Sequence, residues 1–186
     1  MFAMVGLGPI TSTYCIIASH QHVRSLADLG RQNPAAISEL VEIRAMIEDL
    51  RGHTTVTEHG KVPICRSDGD EHDQHCFHAH ALLFGGRSNA AESLETYFAI
   101  SERAGGIPGA LAKAEHKENY VMFSSEPGTA TIFSRPMNLP RQLTRTLIAI
   151  ENGVTDQADW RAFPRYDEAR AIADDLRMGG FNDEQA

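Results

Sequence analysis

The segment His72–Gly86, "HDQHCFHAHALLFGG", decides how this sequence is interpreted, because four histidines and a cysteine fall within its first nine residues. An apolar run follows and ends at two glycines. We predict a strand over residues 76–84, in which alternate side chains share one face. One face would carry the residues that can take part in chemistry, together with Leu82 beside them: Cys76, His78, His80 and Leu82. The other face would carry packing residues, namely Phe77, Ala79, Ala81 and Leu83.

Two imidazoles spaced two residues apart on a strand face can converge on one atom, which suits a metal ion as well as phosphorus. A structural zinc site needs three or four ligands. Candidate ligands are numerous in and near the segment: His59, Cys65, His72, His75, Cys76, His78 and His80. None of them forms the C-x2-C or H-x3-H spacing that is typical of zinc sites. A metal-binding module therefore stands as an alternative.

The second chemistry uses a neutral histidine as the nucleophile. Such a histidine attacks phosphorus and forms a phosphoramidate, which a second acceptor then resolves. The site needs a partner that fixes the tautomer of the ring and hydrogen-bond donors for the phosphate oxygens. The spacing of the histidines is compatible with this chemistry.

Composition narrows the class of protein. The 186 residues fit one domain, and 17 Lys and Arg against 25 Asp and Glu leave a net charge of −8. This charge argues against a stable nucleic-acid complex. Three cysteines without framework spacing, Cys15, Cys65 and Cys76, indicate a reducing compartment. Gly8 and Pro9 interrupt the first apolar run, so we expect no signal peptide, no membrane association and a cytoplasmic location.

Local patterns predict both strands and helices in the first half of the chain. Residues 2–5 and 13–18 flank a turn-rich segment and predict an opening hairpin. Asn33 followed by Pro34 predicts a helix start, and apolar residues then recur every three or four positions until Gly52. Residues 54–60 predict a further strand that ends at a glycine.

The second half of the chain predicts a hairpin flanked by helices. Asn89 and Glu92 form a capping-box pattern for a second helix, which we expect to end at Gly105. Residues 119–125 and 129–135 predict a hairpin. We predict a third helix from about residue 138 through residue 153, a last helix over about residues 167–177, and a disordered tail over residues 181–186.

The stretch "HAHALLFGG" over residues 78–86 resembles the signature strand of the histidine triad (HIT) superfamily of nucleotide hydrolases and transferases. Residues 2–29 resemble the opening hairpin of that family, and "EHG" at residues 58–60 resembles bacterial HIT-like proteins. Residues 141–171 resemble their C-terminal extension. The resemblance implies one HIT-like α+β domain over residues 1–180, with a core over about residues 1–87 and an extension over about residues 88–180.

The fold and assembly implied by this resemblance are an antiparallel sheet with helices packed on one side, lengthened by a hairpin and helices, and a homodimer. The implied partner is a nucleotide or a nucleotide conjugate, and no cofactor is expected. The turn residue that the family places seven positions after the first histidine falls on Gly85 when the count starts from His78. A count from Cys76 ends in mid-strand, so His78 is the first histidine and His80 the middle one.

The resemblance also implies roles for particular residues. His80 would be the nucleophile, His78 would orient and neutralise the phosphate, and Gln74 would lie beside the leaving group. Substrate-binding positions are expected at four further residues: Gly6, His59, Leu82 and Arg145. Two of these depart from the family pattern, because Leu82 replaces the third histidine and Gly6 replaces a ribose-contacting side chain.

The predicted function is hydrolysis of a nucleotide linkage or nucleotidyl transfer at the α-phosphate, through a nucleotidyl-histidine intermediate on His80. Leucine at position 82 offers no hydrogen bond, which leaves a catalytically silent nucleotide-binding HIT-like protein as an alternative. The His/Cys metal-binding module is the other alternative.

Overall fold

A single antiparallel sheet of seven strands organises the computed structural model, which describes residues 1–61 and 78–181. The strands are β1 (Phe2–Val5), β2 (Tyr14–His22), β3 (Thr54–Gly60), β4 (His78–Gly85), β5 (Phe98–Ala104), β6 (Tyr120–Glu126) and β7 (Thr129–Pro136). The helices are α1 (Leu26–Gln32), α2 (Pro34–Arg51), α3 (Ala90–Leu94), α4 (Gly106–Ala114), α5 (Leu143–Glu151) and α6 (Tyr166–Met178). The predicted α+β class with an antiparallel sheet is confirmed.

The strand that carries the paired histidines lies inside the sheet. The strand order is β1-β2-β4-β3-β6-β7-β5, so β4 is hydrogen-bonded to β2 on one side and to β3 on the other. Ala79, Ala81 and Leu83 are buried on one face of β4. His78, His80 and Leu82 are half-buried on the opposite face. The predicted alternation is confirmed from His78 onward, and positions 76 and 77 lie outside the described residues.

Helices cover both faces of the sheet. The first core lies on the face of Leu83 and includes residues from α1, α2, α4 and α6, among them Leu26, Leu40, Ile107 and Ile172. The second core lies on the histidine face and includes residues from α3 and α5, among them Leu94, Leu143 and Ile148. Met122 and Phe123, adjacent on β6, belong to different cores. Helices α1 and α2 thus pack on one side of the sheet, and α3 and α5 of the extension pack on the other face.

Helix α2 is the most regular of the predicted helices and is confirmed. Pro34 occupies its first turn, where a missing N–H costs nothing, and Gly52 ends it with φ +80°. Arg44 projects from α2 into the protein and is 3% exposed. Its guanidinium donates to the carbonyl of Thr54 at 2.7 Å and to the hydroxyl of Ser124 at 3.0 Å. Arg44 therefore ties α2 to β3 and β6.

The second predicted helix is wrong beyond Leu94. The chain makes one short 3-10 turn over Glu95–Tyr97 and then enters β5. Phe98 explains the change, because its ring packs against Phe133 of β7 with centroids 5.9 Å apart. Pairing with β7 gives the backbone N–H and C=O groups of β5 their hydrogen-bond partners. A short helix without tertiary packing would be only marginally stable. Asn89 makes no side-chain cap, so the capping box is absent from this helix.

The strand predicted over residues 54–60 is confirmed as β3, and the other predicted elements are found with shifted ends. The opening hairpin is present, but β2 extends to His22 after a register shift between Ala18 and His22. The β6–β7 hairpin and α6 are present as predicted. Helix α5 begins at Leu143, later than predicted, because Gln142 adopts a left-handed conformation with φ +50°. Helices α1 and α4 are additions to the predicted elements.

The extension is continuous with the rest of the sheet. Strand β6 pairs with β3, and β7 and β5 follow it to the sheet edge. None of the helices within residues 1–61 and 78–181 has the length and apolar character needed to cross a membrane. Residues 182–186, which fall in the predicted disordered tail, lie outside the described residues.

Candidate functional site

The ring of His80 is held by a hydrogen bond to its own strand. Its Nδ1 lies 3.0 Å from the carbonyl oxygen of His78. A carbonyl oxygen only accepts hydrogen bonds, so the proton of the neutral ring must sit on Nδ1. The lone pair is then on Nε2, at the far end of the ring. This tautomer is the one that a histidine nucleophile acting through Nε2 requires.

His78 is held in the same way by the neighbouring strand. Its Nδ1 lies 2.7 Å from the carbonyl oxygen of Ser19 on β2. The register of β2 against β4 pairs Ala18 with His80 and His22 with His78. The rings of His22 and His78 meet edge to face with centroids 4.4 Å apart. The longer β2 therefore adds a third imidazole at this end of the sheet.

His22 is absent from the predicted site residues. The signal for it is the alternating pattern "SHQH" at residues 19–22, which continues the apolar strand before it. A strand that ends at residue 18, as predicted, would leave His22 in a loop. The structure instead keeps it on β2 beside His78.

His59 joins the same face from β3. Thr57 pairs with Leu82 in the β3–β4 ladder, and the same register continued by two residues places His59 across from His80. The Nε2 of His59 lies 2.7 Å from the hydroxyl of Thr144 on α5. Burial, together with the neighbouring charge of His80, lowers the pKa of His59 to about 3. His59 is therefore a neutral imidazole at physiological pH.

Glu58 points to the opposite face and links β3 to α1. Its carboxylate accepts hydrogen bonds from the backbone N–H of Leu26 at 2.5 Å and from the hydroxyl of Tyr120 at 2.7 Å. The side chain is 2% exposed. Burial raises the pKa of Glu58 to about 7, although the two hydrogen bonds and the charge of His80 oppose this shift. Glu58 is also absent from the predicted site residues. Its hydrogen bonds fix β3 from the face opposite to the histidines.

Gly60 completes the role of the "EHG" segment. A Cβ atom at this position would lie 2.1 Å from the ring of Tyr120, closer than real contacts allow. The glycine therefore leaves the space in which Tyr120 reaches Glu58. The three residues of the segment act differently, since Glu58 anchors the strand, His59 faces the histidine strand and Gly60 makes room.

Leu82, which the resemblance aligns with a third histidine, belongs to the apolar interior of this face. It pairs with Ile16 on β2 and with Thr57 on β3. Its half-buried side chain packs against the second core. Leu82 therefore closes the histidine cluster with an apolar wall on the side of α5.

The structure places Gly6 away from the histidines. Its N–H donates to the carbonyl of Tyr14 at 3.0 Å, and Tyr14 pairs with Phe84. Phe84 is four residues beyond His80, a distance of about 13 Å along a strand. A Cβ atom at Gly6 would lie 2.2 Å from the Tyr14 ring. The position expected to contact a ribose is thus occupied by Tyr14.

Arg145 lies at the same distant end. Its guanidinium carbon is 5.0 Å from the centre of the Tyr14 ring, and the side chain is 2% exposed. It donates to the backbone carbonyls of Gly8 and Ala158. These contacts tie the β1–β2 turn to the segment after α5, so Arg145 serves the packing of the extension.

The remaining predicted residues belong to the part of the chain that the structure does not describe. They are Gln74 and four of the candidate metal ligands, namely Cys65, His72, His75 and Cys76. Within residues 1–61 and 78–181, no group of three or more His, Cys, Asp or Glu side chains could hold a metal ion.

No protein-family model matches the chain. A search of curated proteins gives no significant match. The resemblance to histidine triad proteins therefore rests on the sequence motifs alone, and the chemistry must be argued from the four imidazoles of His22, His59, His78 and His80.

We predict that Glu58→Gln changes how stability depends on pH. Because the pKa of Glu58 is about 7 against an ordinary value of 4.5, the folded state keeps a proton that the unfolded state loses between these values. Its contribution to stability therefore falls as pH rises through this window and is constant above it. The variant lacks this titration.

Urea unfolding of both proteins at pH 4.5 and pH 8 measures the effect. The stability of the wild type relative to Glu58→Gln should drop by about 3 kcal/mol across that range. Glu92→Gln, at an exposed glutamate on α3, is the matched control. A difference that stays constant with pH would contradict the buried titration of Glu58.

We predict that a chelator leaves the melting temperature unchanged. Zinc bound by His and Cys would contribute to folding free energy, on the order of 10 kcal/mol for tight sites, so its removal would lower the melting temperature strongly. Thermal unfolding with and without EDTA distinguishes the two cases. A large loss of stability would favour the metal-binding alternative and would show that residues 62–77 take part in a metal site.

Proposed function

We propose that the protein is a nucleotide hydrolase or nucleotidyltransferase that forms a nucleotidyl-histidine intermediate on His80. The hydrogen bond from Nδ1 of His80 to the carbonyl of His78 is the observation that supports this proposal most strongly. It assigns the proton to one nitrogen and the lone pair to the other before any substrate arrives. The backbone of β4 therefore orients the ring of His80 and leaves the lone pair on Nε2 for nucleophilic attack.

The proposed reaction has two displacements at phosphorus. Nε2 of His80 attacks the α-phosphorus, and the P–N bond forms while the bond to the leaving group breaks, with the electron pair passing to the leaving group. Water or another hydroxyl then attacks the same phosphorus and breaks the P–N bond, whose electron pair returns to Nε2, while the proton of the attacking hydroxyl passes to the solvent. His80 returns to its neutral form, and a nucleoside monophosphate or a transferred nucleotide leaves.

The neighbouring imidazoles support this role. His78 and His22 stack edge to face next to the nucleophile, and a proton on either ring would offset the negative charge of the phosphate. His59 adds a neutral ring on the other side. Gln74 is assigned to the leaving group through the resemblance and lies outside the described residues.

The packing of the extension limits where a nucleotide can lie. Tyr14 covers Gly6, and Arg145 is buried with its Nε and Nη2 donating to backbone carbonyls, so the proposal uses neither residue as a ligand contact. Leu82 contributes an apolar wall beside the reacting group. We propose that the phosphate binds at the end of the sheet formed by His78 and His59, away from the second core.

The proposal also includes the binding partner, the oligomeric state and the cellular location of the protein. The resemblance supports a nucleotide or nucleotide conjugate as the partner and a homodimer as the assembly. The free thiol of Cys15 is consistent with a reducing, cytoplasmic environment. One observation favours a catalytically silent nucleotide-binding protein instead, namely the apolar surroundings of Leu82, so the test must separate binding from chemistry.

We predict that His80→Ala abolishes formation of the covalent intermediate. The wild type, incubated with adenosine 5′-phosphoramidate or a dinucleoside polyphosphate, should gain the mass of one nucleotidyl group in intact-mass spectra. The variant should show no such gain and should melt like the wild type, because a half-buried side chain outside both cores is removed. His53→Ala, at an exposed histidine before β3, is the matched control.

Other results would contradict this assignment. An adduct that persists in His80→Ala and disappears in His78→Ala would move the nucleophile to His78. Nucleotide binding without any adduct in the wild type would favour the silent protein. Equal losses in both variants would show that the histidines act as a unit, since effects of such residues are not additive.

We predict that Leu82→His does not raise activity. The new imidazole would be partly buried against the second core and poorly paired, at a cost of about 1 to 3 kcal/mol. Turnover should stay at or below that of the wild type, and the melting temperature should fall. Leu82→Met serves as a size-matched apolar control. A gain in kcat/KM of about 100-fold or more, the size that one general acid or base supplies, would show that the site still accommodates a third histidine.

A further inference from the structure

A short relay of hydroxyl groups connects the C-terminal extension to His59. The Oγ1 of Thr57 on β3 lies 3.4 Å from the Oγ1 of Thr144 on α5, and the Oγ1 of Thr144 lies 2.7 Å from Nε2 of His59. Both threonines have no exposed surface. A buried hydroxyl needs an acceptor for its proton, and within residues 1–61 and 78–181 these are the partners that the relay offers.

The order of donors in the relay determines the tautomer of His59. Thr57 donates to Thr144, so the proton of Thr144 is directed to Nε2 of His59. If Nε2 carried the proton instead, it would donate to Thr144, and Thr144 would donate to Thr57. The buried proton of Thr57 would then have no acceptor among the described residues. Nε2 is therefore the acceptor, and the ring proton of His59 lies on Nδ1.

The Nδ1–H of His59 is a donor on the face where the proposed reaction takes place. Thr57 and His59 alternate with Glu58, so both point toward α5 and the side chains of His80 and Leu82. Among the described residues, no acceptor takes the proton of Nδ1. Burial keeps the ring neutral, since the pKa of His59 is about 3. The donor is thus held in place without adding a charge that would protonate or repel the nucleophile.

We propose that His59 is a catalytic residue that donates its Nδ1–H to a non-bridging oxygen of the phosphoryl group under attack by His80, and that Thr144 is a positioning residue that sets this tautomer. The inference rests on the proposed function. His59 supplies from β3 a hydrogen-bond donor that Leu82 cannot supply from β4. Helix α5 of the extension, through Thr144, is then part of the site.

Kinetics of paired variants tests the two roles. Loss of one preorganised donor to developing oxyanion charge costs about 10²- to 10³-fold in kcat. His59→Leu should therefore lower kcat about 100-fold with little change in KM. His59→Asn, whose amide N–H lies near the place of Nδ1–H, should recover about tenfold or more over His59→Leu.

Thr144 has its own matched pair of variants. Thr144→Val keeps the shape of the side chain and removes the hydroxyl, so kcat should fall about tenfold because a wrong tautomer removes the donor part of the time. Thr144→Ser restores the hydroxyl and should recover most of this loss. Melting temperatures monitor packing, which a purely structural role would change in parallel with kcat. Wild-type kcat in His59→Leu, or equal kcat in His59→Leu and His59→Asn, would overturn the inference.

A second measurement does not depend on turnover. Nitrogen-15 NMR of the protein with labelled histidine rings reports which nitrogen of each ring carries the proton. His59 should show a single neutral tautomer protonated on Nδ1, and Thr144→Val should convert it to a mixture. Addition of AMP should shift the Nδ1–H resonance of His59.

The outcomes separate this inference from the proposed function. A proton on Nε2 of His59, or a resonance that does not respond to AMP, would overturn the role of His59 even if His80 forms an adduct. A response to AMP in a wild type that forms no adduct would refute the nucleotidyl-histidine function and would retain His59 as a phosphate donor.

Discussion

The two-residue alternation of β4 is the constraint on which the rest of the structure depends. Because β4 is paired on both sides, each of its side chains must point to one of two covered faces. Ala79, Ala81 and Leu83 fill the first core, which sends His78 and His80 to the opposite face. The same strand that holds the sheet together thus presents the imidazoles, and its backbone carbonyl at His78 sets the tautomer of His80.

Side chains of strand β3, next to β4, also alternate between the first core and the histidine face. Glu58 points to the first core, where it holds the N-terminus of α1 and the hydroxyl of Tyr120. His59 points the other way and meets Thr144. The raised pKa of this buried carboxyl makes the folded state less stable at high pH, while its hydrogen bonds fix β3 against α1 next to His59. The hydrogen bonds that fix β3 therefore lie on the face of the sheet opposite to the histidines.

The extension changes what the histidine face can accept. Helices α3 and α5 build the second core over Phe84 and Tyr14, and Leu82 packs against it. The far half of this face is therefore filled with protein side chains, whereas the histidine end borders α5 through Thr144. An apolar side chain at Leu82 suits the second core, and a side chain at Gly6 would collide with Tyr14.

The sequence by itself determined the α+β class, helix α2, the strands of both hairpins and the face that His78 and His80 share, because these follow from periodicity within one segment. The prediction from sequence was wrong beyond Leu94. The apolar pattern there fitted a helix, but pairing with β7 makes the segment a strand. Only the tertiary structure placed His22 beside His78 and Thr144 beside His59, and moved Gly6 and Arg145 away from the histidines. Such groupings depend on strand order and register between segments that are distant in sequence, and local spacing carries no information about either.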